Sequence, residues 1–176
     1  MSRYWSRHHN TINSKPLDID IKGNKYQVFT KCKITDSNSM PKVDVTFNTN
    51  REPARSRNWE ASRIVYYNVG HLLFEDGQGN KKWGYRDKSR ANEVFKRVFA
   101  HEVGHDLLLG NGGHSYSKTH KGSSHIWQSP NGNHSFTGSE YDLMKYANQN
   151  PPDFYDKVVA SEDDVRGLLA IAKLTL

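Results

Sequence analysis

The sequence predicts one α+β domain, and three observations lead to that fold class. Three segments rich in β-branched and aromatic residues occupy the first half of the chain. A long helical pattern follows them, and a shorter helix closes the chain after a tract rich in Gly, Ser and Asn. Strands followed by helices are typical of α+β proteins. The chain has 176 residues and no internal repeat, which is the size of a single domain.

The predicted strands are bounded by Gly, Asn, Asp or Pro, as strands commonly are. They cover Tyr26–Ile34, Val43–Phe47 and Ile64–Phe74. The last of these could be a sheet edge that receives an extended peptide, or equally an interior strand. The polar segment Arg51–Ser62 is compatible with a short helix or with a loop. Residues 1–24 are polar with little periodicity, so they could form a flexible N-terminal extension.

Two helices are predicted in the second half of the chain. The first begins near Ser89, a plausible N-cap, and ends near Leu109, before Gly110. Residues 111–139 then form a long loop without acidic residues, and such loops in compact domains are usually functional or mobile. The last helix begins at Ser161, where Ser-Glu-Asp-Asp has the features of a capping box with acidic residues in the first turn.

Composition excludes several classes of protein. Aromatic residues make up 11% of the chain, which argues against disorder. Cys32 is the only cysteine, so neither an internal disulfide nor a Cys-rich zinc finger can form. No apolar run approaches the roughly 20 residues that span a bilayer, and no apolar segment of a signal peptide follows the basic N-terminus. The net charge of +6 permits an anionic partner without selecting one.

The segment His101-Glu102-Val103-Gly104-His105 is an HExxH motif inside the first predicted helix. Residues four apart lie on one helix face with Cβ atoms about 6 Å apart, so two imidazoles can converge on one Zn²⁺. Glu102 lies beside them, where it can take the proton of a zinc-activated water as that water attacks a carbonyl. Gly104 in mid-helix costs roughly 1 kcal/mol relative to Ala, which indicates close packing there.

A catalytic zinc site needs a third protein ligand and an open position. The residues themselves leave the third ligand open. A set of two histidines and one glutamate is an established catalytic arrangement. The candidates after the helix are His114, His120, His125, His134, Glu140 and Asp142.

HExxH on a helix resembles the zincin superfamily of metallopeptidases. The segment Glu140–Tyr146 is similar to the turn that follows the third ligand in metzincin-like members, where a methionine lies beneath the zinc and, in some, a tyrosine follows two residues later. Met144 and Tyr146 match that spacing. The chain departs from the full HExxHxxGxxH pattern, since Leu108 and Asn111 stand where Gly and His would be, which puts a third histidine ligand in doubt.

A closer resemblance, over roughly residues 60–150, is to metallopeptidase effector domains at the C-terminus of some bacterial type VI secretion spike proteins. It is carried by the HExGH helix, by Gly112-Gly113, by Thr119–Ser123 and by Glu140–Met144. The resemblance implies a zincin-like fold, in which a twisted, mainly antiparallel or mixed sheet accompanies the HExxH helix and a C-terminal helix. It also implies Zn²⁺ as cofactor and Glu140 as third ligand, with His114 as the alternative.

The same resemblance implies a biological setting. The chain would be a secreted toxin that acts on a protein or peptide substrate in a target cell, for example in its periplasm, and that is cytoplasmic in its producer. Its partners would include a cognate immunity protein or a secretion-spike carrier. Tyr146 is the best candidate to stabilise the oxyanion, because a phenol can hydrogen-bond a tetrahedral intermediate. Asp106 could orient a ligating imidazole or be an ordinary surface carboxylate.

Three functions are therefore compared. The first is a zinc metalloendopeptidase, which uses Glu102 as its base. The second is a DNA-associated SprT-like metalloprotein, which would need a basic face such as Arg51–Arg63 and commonly a Cys-rich ribbon that one cysteine cannot supply. The third is a zinc domain without catalysis, which has no need of Glu102 between its ligands. We expect the first, with a protein partner and no nucleic acid.

Overall fold

A computed structural model describes residues 1–12, 17–32, 44–48, 57–59, 64–68, 70–75, 80–85, 88–108, 136–137, 140–144 and 152–171. These residues form a mixed arrangement of α-helices and β-strands. The helices are α1 (Ser2–Trp5), α2 (Lys88–Leu108), α3 (Phe154–Lys157) and α4 (Glu162–Ile171). The strands are β1 (Ile19–Ile21), β2 (Asn24–Tyr26), β3 (Asp44–Asn48), β4 (Arg57–Trp59), β5 (Ile64–Asn68), β6 (Gly70–Glu75), β7 (Asn80–Tyr85), β8 (Phe136–Thr137), β9 (Glu140–Asp142) and β10 (Val158–Val159).

The described strands form four small sheets instead of the single twisted sheet that was predicted. Strands β1 and β2 form an antiparallel hairpin, as do β6 and β7. The order of the third sheet is β3-β5-β4, with β3 parallel to β5 and β4 antiparallel to it. In the fourth sheet, β9 lies between β8 and β10 and is parallel to β10. The pairing is therefore mixed, as expected.

The predicted strands are confirmed in part. β3 corresponds closely to the predicted Val43–Phe47. The predicted Ile64–Phe74 is divided into β5 and β6, which belong to different sheets, and β5 is interior. Asn68 and Gly70 lie at this division, and both residue types are weak strand formers. The described part of Tyr26–Ile34 is mostly not a strand: beyond Tyr26, only Val28 pairs, in a single bridge.

The long helix is confirmed, although it begins at Lys88, so Ser89 lies within the helix instead of capping it. The closing helix α4 begins directly after Ser161, as predicted. The Ser161 hydroxyl accepts a bond from the Asp164 amide (3.2 Å), and the Asp164 carboxylate accepts one from the Ser161 amide (3.2 Å). This reciprocal pair satisfies amide donors that a helix start otherwise leaves unpaired. The tract 111–139 was expected to be a loop, but Phe136–Thr137 within it form β8.

The described part of residues 1–24 packs into the core and does not extend from it. Trp5 is fully buried, and so is Ile19 on β1. The Trp5 indole Nε1 donates a hydrogen bond to the Ala100 carbonyl of α2 (3.1 Å). Aromatic burial of this kind is a major source of stability, because it removes on the order of 150–250 Å² from water. The burial of this segment could not be predicted from periodicity, because only isolated side chains of the segment pack in the core.

Two apolar clusters surround α2. The larger joins α2 to the N-terminal segment and to the strands and helices near the C-terminus, and its fully buried members include Trp5, Ala100, Leu143, Phe154 and Val165. The smaller cluster packs α2 against β5 through Tyr67, Val94 and Val98. The helix that carries the HExxH motif is therefore covered from two sides. None of the helices in the described ranges is long and apolar enough to cross a bilayer.

Replacing Ser161 by Ala is expected to lower the free energy of unfolding by about 1 kcal/mol, the usual cost of losing an N-cap side chain. The reason is that the Asp164 amide loses its acceptor at the start of α4. Urea unfolding followed by circular dichroism measures the change. Asp163→Ala is the matched control, because Asp163 lies in the same turn with a side chain 75% exposed. An equal loss in both variants would contradict a specific capping role.

Candidate active site

The two histidines of the motif lie together on one face of α2, as their spacing predicts. Their ring centroids are 4.8 Å apart and the ring planes are nearly perpendicular, at 87°. His101 is buried, whereas the side chain of His105 keeps 19% of its surface exposed. One imidazole is thus held inside the protein and the other borders solvent. A metal ion held by this pair would have one buried donor and one donor near solvent.

A backbone carbonyl selects the tautomer of His101. Its Nδ1 lies 2.7 Å from the Leu143 carbonyl oxygen. A carbonyl oxygen can only accept, so Nδ1 carries a proton, and in the neutral ring the lone pair is on Nε2. Ligating histidines are usually oriented in this way, by a carbonyl or carboxylate on the other ring nitrogen. The neutral ring of His101 could therefore bind a metal through Nε2.

Glu102 lies between the two histidines in sequence and next to them in space. It is buried, and its Oε2 is 3.9 Å from Nε2 of His105. At this distance the two atoms are near each other but do not form a hydrogen bond. A carboxylate this close to a possible metal ligand can exchange a proton with a water molecule held between them. The structure thus places the predicted base beside the predicted ligands.

The turn Asp142–Met144 supplies the carbonyl that orients His101. The Met144 amide donates to the Asp142 carboxylate (2.9 Å), a local bond that stabilises a turn. The Leu143 amide donates to the Val159 carbonyl (2.9 Å), which ties the turn to β10. Leu143 and Met144 are both almost completely buried. The position of the Leu143 carbonyl is therefore set by bonds on both sides of it.

Gly104 is the point at which other elements touch the motif helix. A Cβ atom at this position would lie 2.6 Å from Cζ2 of Trp5 and 2.7 Å from Sδ of Met144. Both distances are shorter than carbon contacts allow, so only glycine fits there. The close packing inferred from a mid-helix glycine is confirmed. Met144 lies against the same turn of α2 that carries both histidines.

Glu140, the predicted third ligand, has another partner in the structure. Its two carboxylate oxygens each accept a hydrogen bond from the Arg7 guanidinium, both at 2.9 Å. Within the described ranges, no group of three or more His, Cys, Asp or Glu side chains is close enough to hold a metal ion. The structure therefore brings His101, His105 and Glu102 together without Glu140. The alternative ligand His114 and the predicted oxyanion group Tyr146 lie outside the described residues.

A small polar network includes Tyr141, the residue after Glu140 on β9. Burial raises the pKa of Tyr141, and the negative charge of Asp153 raises it further. The Lys157 ammonium, 2.5 Å from Asp153, lowers the pKa of that carboxyl through a hydrogen bond. The Tyr141 hydroxyl also donates to Asp153 (3.4 Å). Tyr141 is therefore protonated at neutral pH and acts as a structural donor.

Three groups around this site could not be predicted from the sequence: the Leu143 carbonyl, Trp5 and Arg7. A backbone carbonyl cannot be recognised in a residue pattern, and Trp5 and Arg7 are far from the motif in sequence.

Searches of family models, of curated proteins and of solved structures found no match to the chain. Of the three protein ligands that a catalytic zinc site needs, the described residues offer two neighbouring imidazoles, and no third ligand lies close to them.

Replacing Gly104 by Ala is expected to lower the free energy of unfolding by about 1–2 kcal/mol, because the overpacking cost exceeds the helix propensity that alanine gains. Thermal and urea unfolding measure the change. Asn92→Ala is the control: Asn92 is exposed on the same helix, so the variant gains propensity without a clash and should be slightly more stable. If Gly104→Ala were stabilised as much as the control, the packing of Trp5 and Met144 on α2 would be refuted.

Proposed function

We propose that the chain is a zinc-dependent metalloendopeptidase, with a zincin-like fold built around α2. One observation carries the proposal: His101 and His105 share a helix face, and the Leu143 carbonyl holds His101 in the tautomer that presents Nε2. A buried histidine with only a packing role would also need an acceptor for its ring N–H, but it would not need a second imidazole 4.8 Å away. Both features are typical of a ligand pair.

His101 and His105 would hold the metal, and the third ligand is either Glu140 or His114. The resemblance to spike-borne effectors favours Glu140, whereas its paired bonds to Arg7 favour another ligand. A carboxylate oxygen has more than one acceptor site, so pairing with Arg7 weakens Glu140 as a ligand without forbidding it. A bound zinc ion would polarise the scissile carbonyl and make a water molecule more acidic.

Glu102 would handle the proton in this reaction. It would accept a proton from the attacking water and deliver it to the nitrogen of the leaving amine. Its burial supports this role, because a carboxylate shielded from bulk water retains its proton long enough to pass it on. Tyr146 would donate a hydrogen bond to the oxyanion, as proposed from its position two residues after Met144.

The biological role follows from the resemblance alone. By it, the chain is a secreted bacterial toxin delivered to a competing cell, carried by a secretion spike and neutralised in its producer by an immunity protein. Its substrate would be a protein or peptide of the target cell. Support from the residues is limited to the metal-binding helix and the turn at Glu140–Met144, which is the part of the resemblance that the structure describes.

Metal content is the first test. Purified chain should contain about one zinc ion per molecule by elemental analysis, as expected for a mononuclear site, and His101→Ala should lose it. Glu140→Gln and His114→Ala are compared side by side, and the third ligand is the residue whose loss removes the zinc. Glutamine keeps the size of the side chain and an acceptor for Arg7 but removes the negative charge, so circular dichroism must show that Glu140→Gln is folded before its zinc content is compared. A wild-type chain that takes up no added zinc would refute the proposal that it is a zinc enzyme.

Replacing Glu102 by Gln should leave zinc bound and reduce cleavage of a fluorogenic peptide library by about 10²–10⁴-fold, because the general base is lost while its shape is kept. Glu93→Gln is the control: Glu93 is exposed on the same helix, and its activity should equal that of the wild type. A zinc-loaded, folded wild type that cleaves neither peptides nor unfolded proteins would instead support a zinc domain without catalysis.

A further inference from the structure

We infer that Arg7 is a positioning residue for the proposed metal site, an inference that rests on the proposed function. Arg7 lies in the N-terminal segment, far from the motif in sequence, and only 4% of its surface is exposed. Its Nη1 and Nη2 bind the two oxygens of Glu140, and Nη1 also donates to the Ala160 carbonyl (2.8 Å). A buried arginine that binds both oxygens of a largely buried carboxylate forms a strong and geometrically specific pair.

These bonds hold the two strands that position the carbonyl partner of His101. Glu140 is the first residue of β9, which leads directly into Leu143. Ala160 follows β10, whose residue Val159 accepts the hydrogen bond from the Leu143 amide. Arg7 therefore fixes the start of one strand and the end of the other. The Leu143 carbonyl lies between these fixed points.

The same N-terminal segment also contacts α2. Trp5 donates to the Ala100 carbonyl and packs on Gly104, one residue before His105. In the same segment, the Tyr4 carbonyl accepts a hydrogen bond from the Ala160 amide (2.7 Å). Residues 4–7 thus bridge the helix that carries the histidines and the turn that carries the Leu143 carbonyl. The 2.7 Å bond between His101 and Leu143 depends on the spacing that this bridge sets.

Loss of the Arg7 side chain has a specific consequence. Glu140 would be left buried with a negative charge and without its partner, and β9 would shift to bring that carboxylate to water. The shift would move the Leu143 carbonyl away from Nδ1 of His101. Substitutions of groups that orient a metal-binding histidine typically weaken metal binding 10–100-fold. The effect of Arg7 should therefore be visible in zinc affinity, not only in folding stability.

The experiment measures the zinc dissociation constant by competition with a chromogenic chelator, together with the visible spectrum of the Co²⁺-loaded protein. Arg7→Ala should weaken zinc binding about tenfold and alter the Co²⁺ absorption, which reports ligand geometry. The zinc dissociation constant of Arg7→Lys should lie between those of the wild type and Arg7→Ala. The lysine ammonium restores the positive charge but cannot make the two parallel hydrogen bonds of a guanidinium. Circular dichroism establishes that each variant is folded.

Val165→Ala separates positioning from general stability. Val165 is fully buried on α4, and its loss weakens the core without removing a contact of residues 4–7 to β9 or α2 that the structure records. Its zinc dissociation constant should equal that of the wild type. Equal weakening in Val165→Ala and Arg7→Ala would overturn the inference, as would wild-type zinc affinity and spectrum in Arg7→Ala. A wild type that binds no zinc would instead overturn the proposed function itself.

The double variant Arg7→Ala/Glu140→Gln tests whether Arg7 acts through Glu140. If it does, in the metal-free chain the double variant should lose less free energy of unfolding than the sum of the two single variants, because either change breaks the same pair. Losses that add together would mean that Arg7 does not act through Glu140, whether or not Glu140 also binds zinc. The cycle needs only the single variants already described and their combination.

Discussion

The hydrogen bond from Nδ1 of His101 to the Leu143 carbonyl is the interaction on which the proposed site depends. It selects one tautomer of a buried imidazole, and it connects α2 to a turn more than forty residues later in the chain, since the separation is 42 positions. Neighbouring contacts hold the helix and the turn in place on either side of this bond. Gly104 lets Met144 and Trp5 approach the helix, and the bonds of Asp142 and Val159 keep the turn in place.

In the described residues, the elements around the proposed site are held together with only small sheets. Its sheets are short, and several of its strands have only two or three residues. Strands of this length contribute few ladder hydrogen bonds, so side-chain contacts must hold the elements together. Two of the strongest come from the N-terminal segment, where Trp5 binds α2 and Arg7 binds β9 and the residue after β10. The segment is therefore part of the core that supports the histidines.

The sequence predicted those parts of the fold that depend on local patterns. The helix α2, the start of α4 at Ser161 and the strand β3 follow from periodicity, capping and composition, and all three are present. The motif also predicted the pairing of His101 with His105, because it depends only on helical spacing. The sheet arrangement was not predictable, because the division of Ile64–Phe74 into two strands depends on which neighbours pair with each half.

Glu140 shows why the rest of the site could not be derived from the motif. Its residue type suits both a zinc ligand and a partner for arginine, and position after the helix does not distinguish the two uses. The decision depends on Arg7, which lies 133 residues earlier in the chain and has no pattern around it. A buried arginine must be paired, because an isolated charge is too costly in the interior. Arg7 thus accounts for the position of Glu140 in the described structure, a partner that the residue pattern after the helix could not reveal.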